Sequence, residues 1–300
     1  MAKKSKVIFT ASLFLVIAGI LAGAGYILHG LTAKRYHAQR VIFEMADPAR
    51  DDYGPGSYKY PTDSIFDPKS GHFDLLKFTV SAKEDKYFFD IKLGRITNPW
   101  GAAEGFSHQI IQIYIADGSE NGRIETFKQG ANVQFSPQYP WTSLIKVVSF
   151  GKTAVYSSTD YETSDGKSVG VTAKLQPDKQ TIRVTVPKKY IAGQPEKWAY
   201  YVLVGSQDGS GPDNYRQVMA QVTQWNFGGG QNSPLNPNVI DILAPKKGLH
   251  TQEKMLKSFD PGRGRLAMLY PVGPPQVRPS WWENFLEYME GLFVKYDVSL

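Results

Sequence analysis

Cysteine is absent from the 300 residues of this sequence, and histidine is scarce. The first absence excludes disulfide bonds, thiolate metal sites and a cysteine nucleophile. It does not identify a compartment, because oxidising compartments permit disulfides without requiring them. The five histidines, His29, His37, His72, His108 and His250, show no spacing that is typical of metal ligands.

The common catalytic motifs are also missing. The sequence has no Ser-His-Asp order, no glycine-rich phosphate loop and no HExxH segment. Acidic pairs such as Asp51 and Asp52 cannot be assigned as a glycosidase couple, because that assignment needs a measured separation. We therefore predict that the protein is not an enzyme.

The charge is mildly basic, with a net value of +6. The lysines and arginines are spread along the chain and form no basic arm or stripe. We therefore expect no nucleic-acid partner. The apolar content of 42% is too high for a disordered chain and is sufficient for a large core.

Short apolar runs bounded by turn residues dominate the middle of the sequence. The 28 glycines and 19 prolines indicate many turns. No long stretch between residues 40 and 245 has helical periodicity. The pattern predicts a mainly β fold, an antiparallel β-sandwich. About nine strands are predicted, within residues 39–46, 72–82, 86–94, 108–116, 143–151, 168–176, 181–191, 197–209 and 216–230.

Residues 7–33 form an uncharged and largely apolar run. Because about 20 apolar residues span a bilayer as a helix, residues 1–37 are predicted to be a short basic tail followed by a transmembrane anchor, with residues 7–31 in the membrane. Cleavage as a signal peptide is the alternative. Slightly more positive charge before the helix than after it places the following domain, residues 38–270, on the outer face of the cell membrane.

The end of the chain, residues 271–300, combines a proline-rich linker with an amphipathic helix. Its polar face carries glutamates, which does not suit an anionic membrane surface. The helix is therefore predicted to dock on protein, either on its own sandwich or on a partner or second copy. The docking residues are predicted to be Trp281, Trp282, Phe285, Leu292 and Phe293.

Several segments in order resemble a known family. They are "DPARDDYGPGSYKYPTD", "FDLLKFTV", "TNPWGAAEGFSHQIIQIYI", "GSQDGSGPDNYR", "WNFGGG" and "PNVIDILAP". Together they resemble the glucodextranase C-terminal-type domain over roughly residues 41–256. That family is related to DOMON-like and family-nine carbohydrate-binding sandwiches, and its membrane-anchored archaeal members are described as predicted regulators of amylopullulanase. The resemblance implies a β-sandwich that accompanies polysaccharide-processing enzymes, without catalysis. DOMON-like relatives include haem binders, so the resemblance also raises His108 with a methionine, such as Met45 or Met219, as haem ligands. We expect no haem.

The loop of residues 47–63 is rich in aspartate, glycine and proline. Carboxylates and turning backbone carbonyls are the ligands of Ca²⁺, and the resemblance to related sandwiches implies a structural calcium. Turn residues bonding their own backbone are the alternative. The candidate ligands are Asp47, Asp51, Asp52, Asp63 and Asp74.

Aromatic residues in or beside turn-rich loops form a second candidate site. Flat rings can stack on the C–H faces of sugars, whereas burial as loop plugs against the core is the alternative. The candidates are Tyr58, Tyr60, Trp100, Tyr139, Trp141 and Trp225.

Two functions follow from these features. The first is a membrane-anchored exterior carbohydrate-binding or amylopullulanase-accessory module, whose partners are a polysaccharide or a polysaccharide-processing enzyme. The second is a structural subunit of a surface assembly or membrane complex, with a homo-oligomer or complex formed through the C-terminal helix. The resemblance favours the first, and the terminal helix with the long loops favours the second.

Overall fold

The computed structural model describes residues 39–119, 121–159 and 164–273. The predicted membrane anchor and the predicted C-terminal helix lie outside these residues. Within them, no helix is both long enough and apolar enough to cross a membrane.

The described chain is built mainly of strands, as predicted. In chain order they are β1 (Arg40–Ala46), β2 (Leu75–Lys83), β3 (Lys86–Leu93), β4 (Gln109–Ala116), β5 (Val133–Phe135), β6 (Ser143–Val148), β7 (Ala154–Ser157), β8 (Thr172–Leu175), β9 (Thr181–Pro187), β10 (Ala199–Ser206), β11 (Val239–Ile242) and β12 (Ala267–Leu269). A short helix, α1, spans Gln252–Lys257. Five 3₁₀ turns complete the described elements: Ser64–Phe66, Lys188–Tyr190, Pro195–Lys197, Pro212–Asn214 and Pro261–Arg263.

Two five-stranded antiparallel sheets form a β-sandwich. The first has the strand order β1-β2-β3-β9-β8, and the second has the order β11-β10-β4-β6-β7. Alternate residues of β3 and β9 point into the space between the sheets, where Phe89 and Val184 meet Ile111, Ile113 and Val202 of the second sheet. This inward and outward alternation is typical of a sheet with one buried face.

The second sheet is buried on both faces. All eight residues of β4 and all eight of β10 are buried. Its outer face is covered by a second core, which includes Tyr114 and Leu203 of the sheet together with Phe135, Trp141 and Leu256 from the covering segments. The covering segments include α1 and the parallel pair of β5 and β12. The molecule therefore has a third layer that the sandwich prediction did not include.

Strand β10 defines two ends of the molecule. At its start, Tyr200 exchanges backbone hydrogen bonds with Val272, and Arg40 forms an ion pair with Glu196 just before the strand. The first and last described segments therefore meet at this end. At the other end of β10, Ser206 pairs with Gln109 at the beginning of β4. Long loops cluster there, and they carry the candidate sites.

One predicted strand is wrong. Residues 216–230 form an irregular loop, although Val218 makes an isolated parallel bridge to Phe227. Both side chains are buried in the core, so these two apolar residues are explained by packing and not by strand pairing.

Candidate functional site

Three aspartates converge between the end of β1 and β11, the edge strand of the second sheet. Asp47 follows β1, Asp51 lies in the next loop, and Asp241 belongs to β11. One carboxylate oxygen of each lies within 4.8 Å of the others. This group, Asp47, Asp51 and Asp241, is called the acidic cluster below.

The acidic cluster is only partly satisfied by hydrogen bonds. The Oδ1 atom of Asp47 accepts a bond of 2.8 Å from the backbone N–H of Ala244, and Asp241 Oδ2 accepts one of 2.7 Å from Leu75. The Oδ2 atom of Asp47 and the Oδ1 atoms of Asp51 and Asp241 are buried and have no partner among the described residues. Orphaned buried carboxylate oxygens are costly unless something else compensates them.

Burial disfavours negative charge in this cluster. Burial, together with the charges of Asp51 and Asp74, raises the pKa of Asp47 to about 9. Burial and the neighbouring Asp74 likewise raise the pKa of Asp51 to about 7. The pKa of the fully buried Asp241 carboxyl is raised well above its usual value, first by burial and then by Asp47. The cluster therefore holds several like charges only if protons or a cation neutralise them.

Two other predicted ligands lie beside the cluster. Asp52 is buried, and its carboxylate accepts a hydrogen bond from the Tyr60 hydroxyl. Asp74 is also buried, and its Oδ1 accepts a bond of 2.7 Å from the backbone N–H of Arg50. Their charges raise the pKa values within the cluster.

Asp63 does not belong to this group. It caps the 3₁₀ turn Ser64–Phe66, where its side chain accepts a bond of 3.2 Å from the backbone N–H of Ile65. Its other oxygen accepts a bond of 3.0 Å from Gln224 Nε2. These local bonds lower its pKa. Asp63 is therefore a capping residue, which corrects its prediction as a ligand.

The loop that carries Asp51 is fixed from two sides. Gln252 of α1 donates through Nε2 to the Asp51 carbonyl and accepts through Oε1 a bond of 2.7 Å from the backbone N–H of Ile242. The backbone N–H of Gly54 donates to the Ile240 carbonyl at 2.8 Å. Gly54 has φ +57°, and a Cβ atom there would lie 2.3 Å from the Tyr58 ring, so glycine is required.

These features fit a hard divalent cation. Ca²⁺ binds carboxylate and carbonyl oxygens. The cluster offers three carboxylates, of which Asp241 lies on β11 and Asp51 on the loop that Gln252 and Gly54 hold in place. A divalent charge would also compensate the three orphaned oxygens.

Three of the six predicted sugar-stacking residues are unsuitable for that role. Tyr58, Tyr60 and Trp141 are buried. The Tyr58 hydroxyl donates to the Pro237 carbonyl at 2.5 Å, and Trp141 Nε1 donates to the Glu125 carbonyl at 2.7 Å. These three are core aromatics with satisfied polar atoms, so their prediction as an exposed platform is wrong.

Tyr139 is only partly buried and packs against the second core. Its carbonyl accepts a bond of 2.9 Å from the Tyr201 hydroxyl. No contact joins it to the two exposed tryptophans, Trp100 and Trp225, among the interactions of the described residues.

Trp100 and Trp225 come together at the loop-rich end. Their side chains are 41% and 43% exposed. Both pack edge-on against the buried ring of Phe66, with ring centroids 6.4 Å and 6.3 Å away. The buried ring of Phe66 therefore supports two half-exposed indole rings. Trp100 and Trp225 are called the tryptophan pair below.

A buried polar group lies behind the tryptophan pair. The ring of His108 lies 4.8 Å from that of Trp100 and stacks on His72 at 5.1 Å. Both nitrogens of His108 are buried without a hydrogen-bond partner in the described part of the chain. Arg216 lies over the Phe66 ring at 5.3 Å and donates to the Trp225 carbonyl at 2.9 Å. The loop of Trp225 is thus fixed to the same aromatic support.

Asp241 is the functional candidate that sequence reasoning missed. It lies in "NVIDILAP", where a single carboxylate interrupts an apolar strand. An ionisable residue in a buried strand is unusual without a partner. This single aspartate within an apolar strand was the sequence signal from which the site residue could have been found.

Comparison with known proteins agrees with this architecture. Residues 42–271 match the family described as the C-terminal, SLH-like binding module of glucodextranase. No curated protein matches the chain. The match spans well over half of the 300 residues and includes both sheets, the acidic cluster and the tryptophan pair. The chain therefore belongs to the family of glucodextranase C-terminal binding modules.

Proposed function

We propose that this protein is a non-catalytic module that binds a neutral polysaccharide through the tryptophan pair. The observation that carries the proposal is the placement of Trp100 and Trp225 around Phe66, with both indole rings exposed at one end of the sandwich. Large exposed apolar side chains held by a rigid support are typical of binding surfaces.

Polar groups beside the tryptophan pair support the same ligand class. Gln224 precedes Trp225, and its side chain is bonded to Asp63. Amide and carboxylate groups can donate to and accept from sugar hydroxyls, while indole rings cover the C–H faces. The family is named for a module of glucodextranase, which makes α-glucans the first polymers to test.

The test is affinity electrophoresis of the full-length protein through gels containing dextran, pullulan or amylopectin. We expect at least one of these neutral glucans to retard migration. Polygalacturonate is the matched charged polymer and should have little effect. A protein that migrates freely through all three glucan gels would contradict the proposal. If the protein binds no glucan but forms a stable assembly in detergent, a role as a structural subunit is favoured.

We further propose that the acidic cluster holds a structural Ca²⁺. Asp47, Asp51 and Asp241 would supply carboxylate oxygens, and the cation would fix the loop to the second sheet. Three orphaned buried oxygens support this proposal. Asp52 and Asp74 would contribute negative potential from outside the cluster.

A membrane anchor at residues 7–31 would hold the module on the outer face of the cell membrane. There the module would act as an accessory to a polysaccharide-processing enzyme such as an amylopullulanase. The apolar length of that segment supports the anchor. We expect the protein to stay in the membrane pellet after alkaline washing, and release into the supernatant would contradict the anchor.

A further inference from the structure

A depression in the surface is lined in part by the loop that carries Trp225. It has a volume of about 380 Å³ and is lined by Pro212 and by residues from the segments 129–132, 217–220 and 231–238. This is within the size range of sites for small ligands. We call it the amide cleft, because seven of its lining side chains are asparagine or glutamine and none is charged.

The floor of the amide cleft is rigid. Asn236 donates through Nδ2 to the Tyr58 hydroxyl at 3.2 Å and accepts through Oδ1 a bond of 2.9 Å from the backbone N–H of Gln231. Asn238 donates to the Gly130 carbonyl at 2.7 Å and accepts from Val218 N–H at 2.9 Å. Both asparagines are buried. The floor is therefore pre-formed and would lose little conformational entropy on binding.

The rim differs from the floor. Gln129, Gln217, Gln231 and Asn232 are exposed, and within the described residues their side chains have no hydrogen-bond partner. Each carboxamide offers donors and an acceptor. Such a rim suits a ligand that itself both donates and accepts, as hydroxyl groups do.

The uncharged lining of the amide cleft does not favour strongly charged ligands. An anion or cation would meet no opposite charge there, and its desolvation would be uncompensated. Met219 adds an apolar surface, since its side chain is 44% exposed within the lining. A sugar ring presents neutral hydroxyl groups next to a face of C–H groups, and it therefore matches both the polar and the apolar parts of this lining.

One loop connects the amide cleft with the tryptophan pair. Met219 N–H donates to the Phe227 carbonyl at 2.8 Å, and Gly230 N–H donates to the Met219 carbonyl at 3.0 Å. Arg216 binds the carbonyl of Trp225 from the same loop. These bonds fix Met219 and Trp225 relative to each other.

We infer that the amide cleft is a second sugar-binding subsite, which takes another residue of the same neutral glycan chain that covers the tryptophan pair. The inference rests on the proposed polysaccharide-binding function. It adds a separate contact surface whose residues do not touch the indole rings.

The test uses oligosaccharides of increasing length cut from the glucan that the protein binds, namely isomalto-oligosaccharides for dextran and malto-oligosaccharides for pullulan or amylopectin. Binding to the full-length protein is measured by titration calorimetry. A chain long enough to reach both subsites should bind more tightly than a short one, because the second contact becomes intramolecular.

The Q217A/Q231A variant should remove this gain. We expect its Kd for long oligosaccharides to rise about tenfold, since two hydrogen-bonding side chains are lost, while its Kd for the shortest bound oligosaccharide stays unchanged. Q194A, an exposed glutamine outside the cleft, is the matched control and should bind like the wild type. An unchanged melting temperature of Q217A/Q231A confirms that the fold is intact.

The possible failures can be told apart. If the wild type binds glucan and Q217A/Q231A keeps the full gain with chain length, the second subsite is refuted and the proposed function stands. If the wild type binds no neutral glucan of any length, the proposed function is refuted, and the subsite with it.

Discussion

Asp241 and Leu75 join the two sheets of the sandwich through a single buried hydrogen bond. The Oδ2 atom of Asp241, on the second sheet, accepts a bond of 2.7 Å from the backbone N–H of Leu75, at the start of a strand of the first sheet. The other oxygen of Asp241 has no partner in the described part of the chain. One carboxylate thus connects the sandwich to the acidic cluster.

Removal of Ca²⁺ is expected to destabilise the folded protein. At a free concentration one hundred times the Kd, a ligand specific to the native state stabilises it by about 2.7 kcal/mol. EDTA should therefore lower the melting temperature by roughly 5–10 °C for a domain of this size. Asp241→Asn should abolish the response to EDTA, while Asp63→Asn, outside the cluster, should keep it. An unchanged melting curve and no calcium by elemental analysis would refute the site.

Loss of either exposed tryptophan should weaken polysaccharide binding. Trp100→Ala or Trp225→Ala removes a stacking surface, and we expect each to raise the Kd at least about tenfold, which corresponds to about 1.4 kcal/mol. Val169→Ala, another exposed apolar residue, is the control and should leave the Kd unchanged. Gel retardation and calorimetry provide the measurement. Wild-type affinity in both tryptophan variants would show that the sugar binds elsewhere.

The buried pair of Lys146 and Asp213 should be important for stability. The Lys146 ammonium contacts the Asp213 carboxylate, which also accepts a bond of 2.8 Å from Gln112 Nε2. Lys146→Met leaves a buried carboxylate without its counter-charge, and this should cost about 3–5 kcal/mol. Chemical denaturation measures the loss. Lys257→Met, which breaks an exposed pair with Glu253, should cost less than about 1 kcal/mol, so similar losses in the two variants would contradict the argument.

Acid should destabilise the protein through His108. Burial, together with the nearby charges of His72 and Arg216, lowers the pKa of His108 to about 3. The unfolded chain binds a proton at His108 below about pH 6.5, whereas the folded chain does not. The contribution of His108 to stability should therefore fall as the pH decreases from about 6.5 toward 3, by up to about 1.4 kcal/mol per pH unit.

The His108→Phe variant isolates that contribution. Other groups titrate in the same range, so the quantity to compare is the difference in unfolding free energy between wild type and variant at each pH. The difference should shift in favour of the variant by several kcal/mol between pH 7 and pH 4 at about 1.4 kcal/mol per unit. A difference that does not vary with pH would show that His108 does not titrate on unfolding.

The strands of the first sheet could be predicted well from sequence. Residues 86–93 and 181–187 alternate between inward apolar and outward polar positions, which is the direct signal of a sheet with one buried face. The short strands β5, β7, β11 and β12 were not predicted. They have only three or four residues each, too few for periodicity to distinguish a strand from a buried loop.

The second core and the acidic cluster depend on contacts between distant parts of the chain. The mostly apolar sequence of β4, QIIQIYIA, indicates burial on both faces but does not say which segments cover it. Asp47 and Asp51 were predicted as ligands because they share one loop. Asp241 was missed because it reaches them only through the pairing of β11 with β10. Phe66 likewise brings Trp100 and Trp225 together, and no local pattern shows that.

The arrangement of the two ends of β10 has a mechanical consequence. The eight residues of this strand separate its ends by roughly 23 Å at about 3.3 Å per residue. The described chain enters and leaves at the Tyr200 end, while the tryptophan pair, the acidic cluster and the amide cleft lie toward the Ser206 end. A tether joined at residue 39 or residue 273 would hold the module by its base and leave its binding surfaces pointing away from the attachment. Pulling on a bound polymer would then load the strands along their length, in shear across many backbone hydrogen bonds at once, which is the direction in which a β-sheet resists force best.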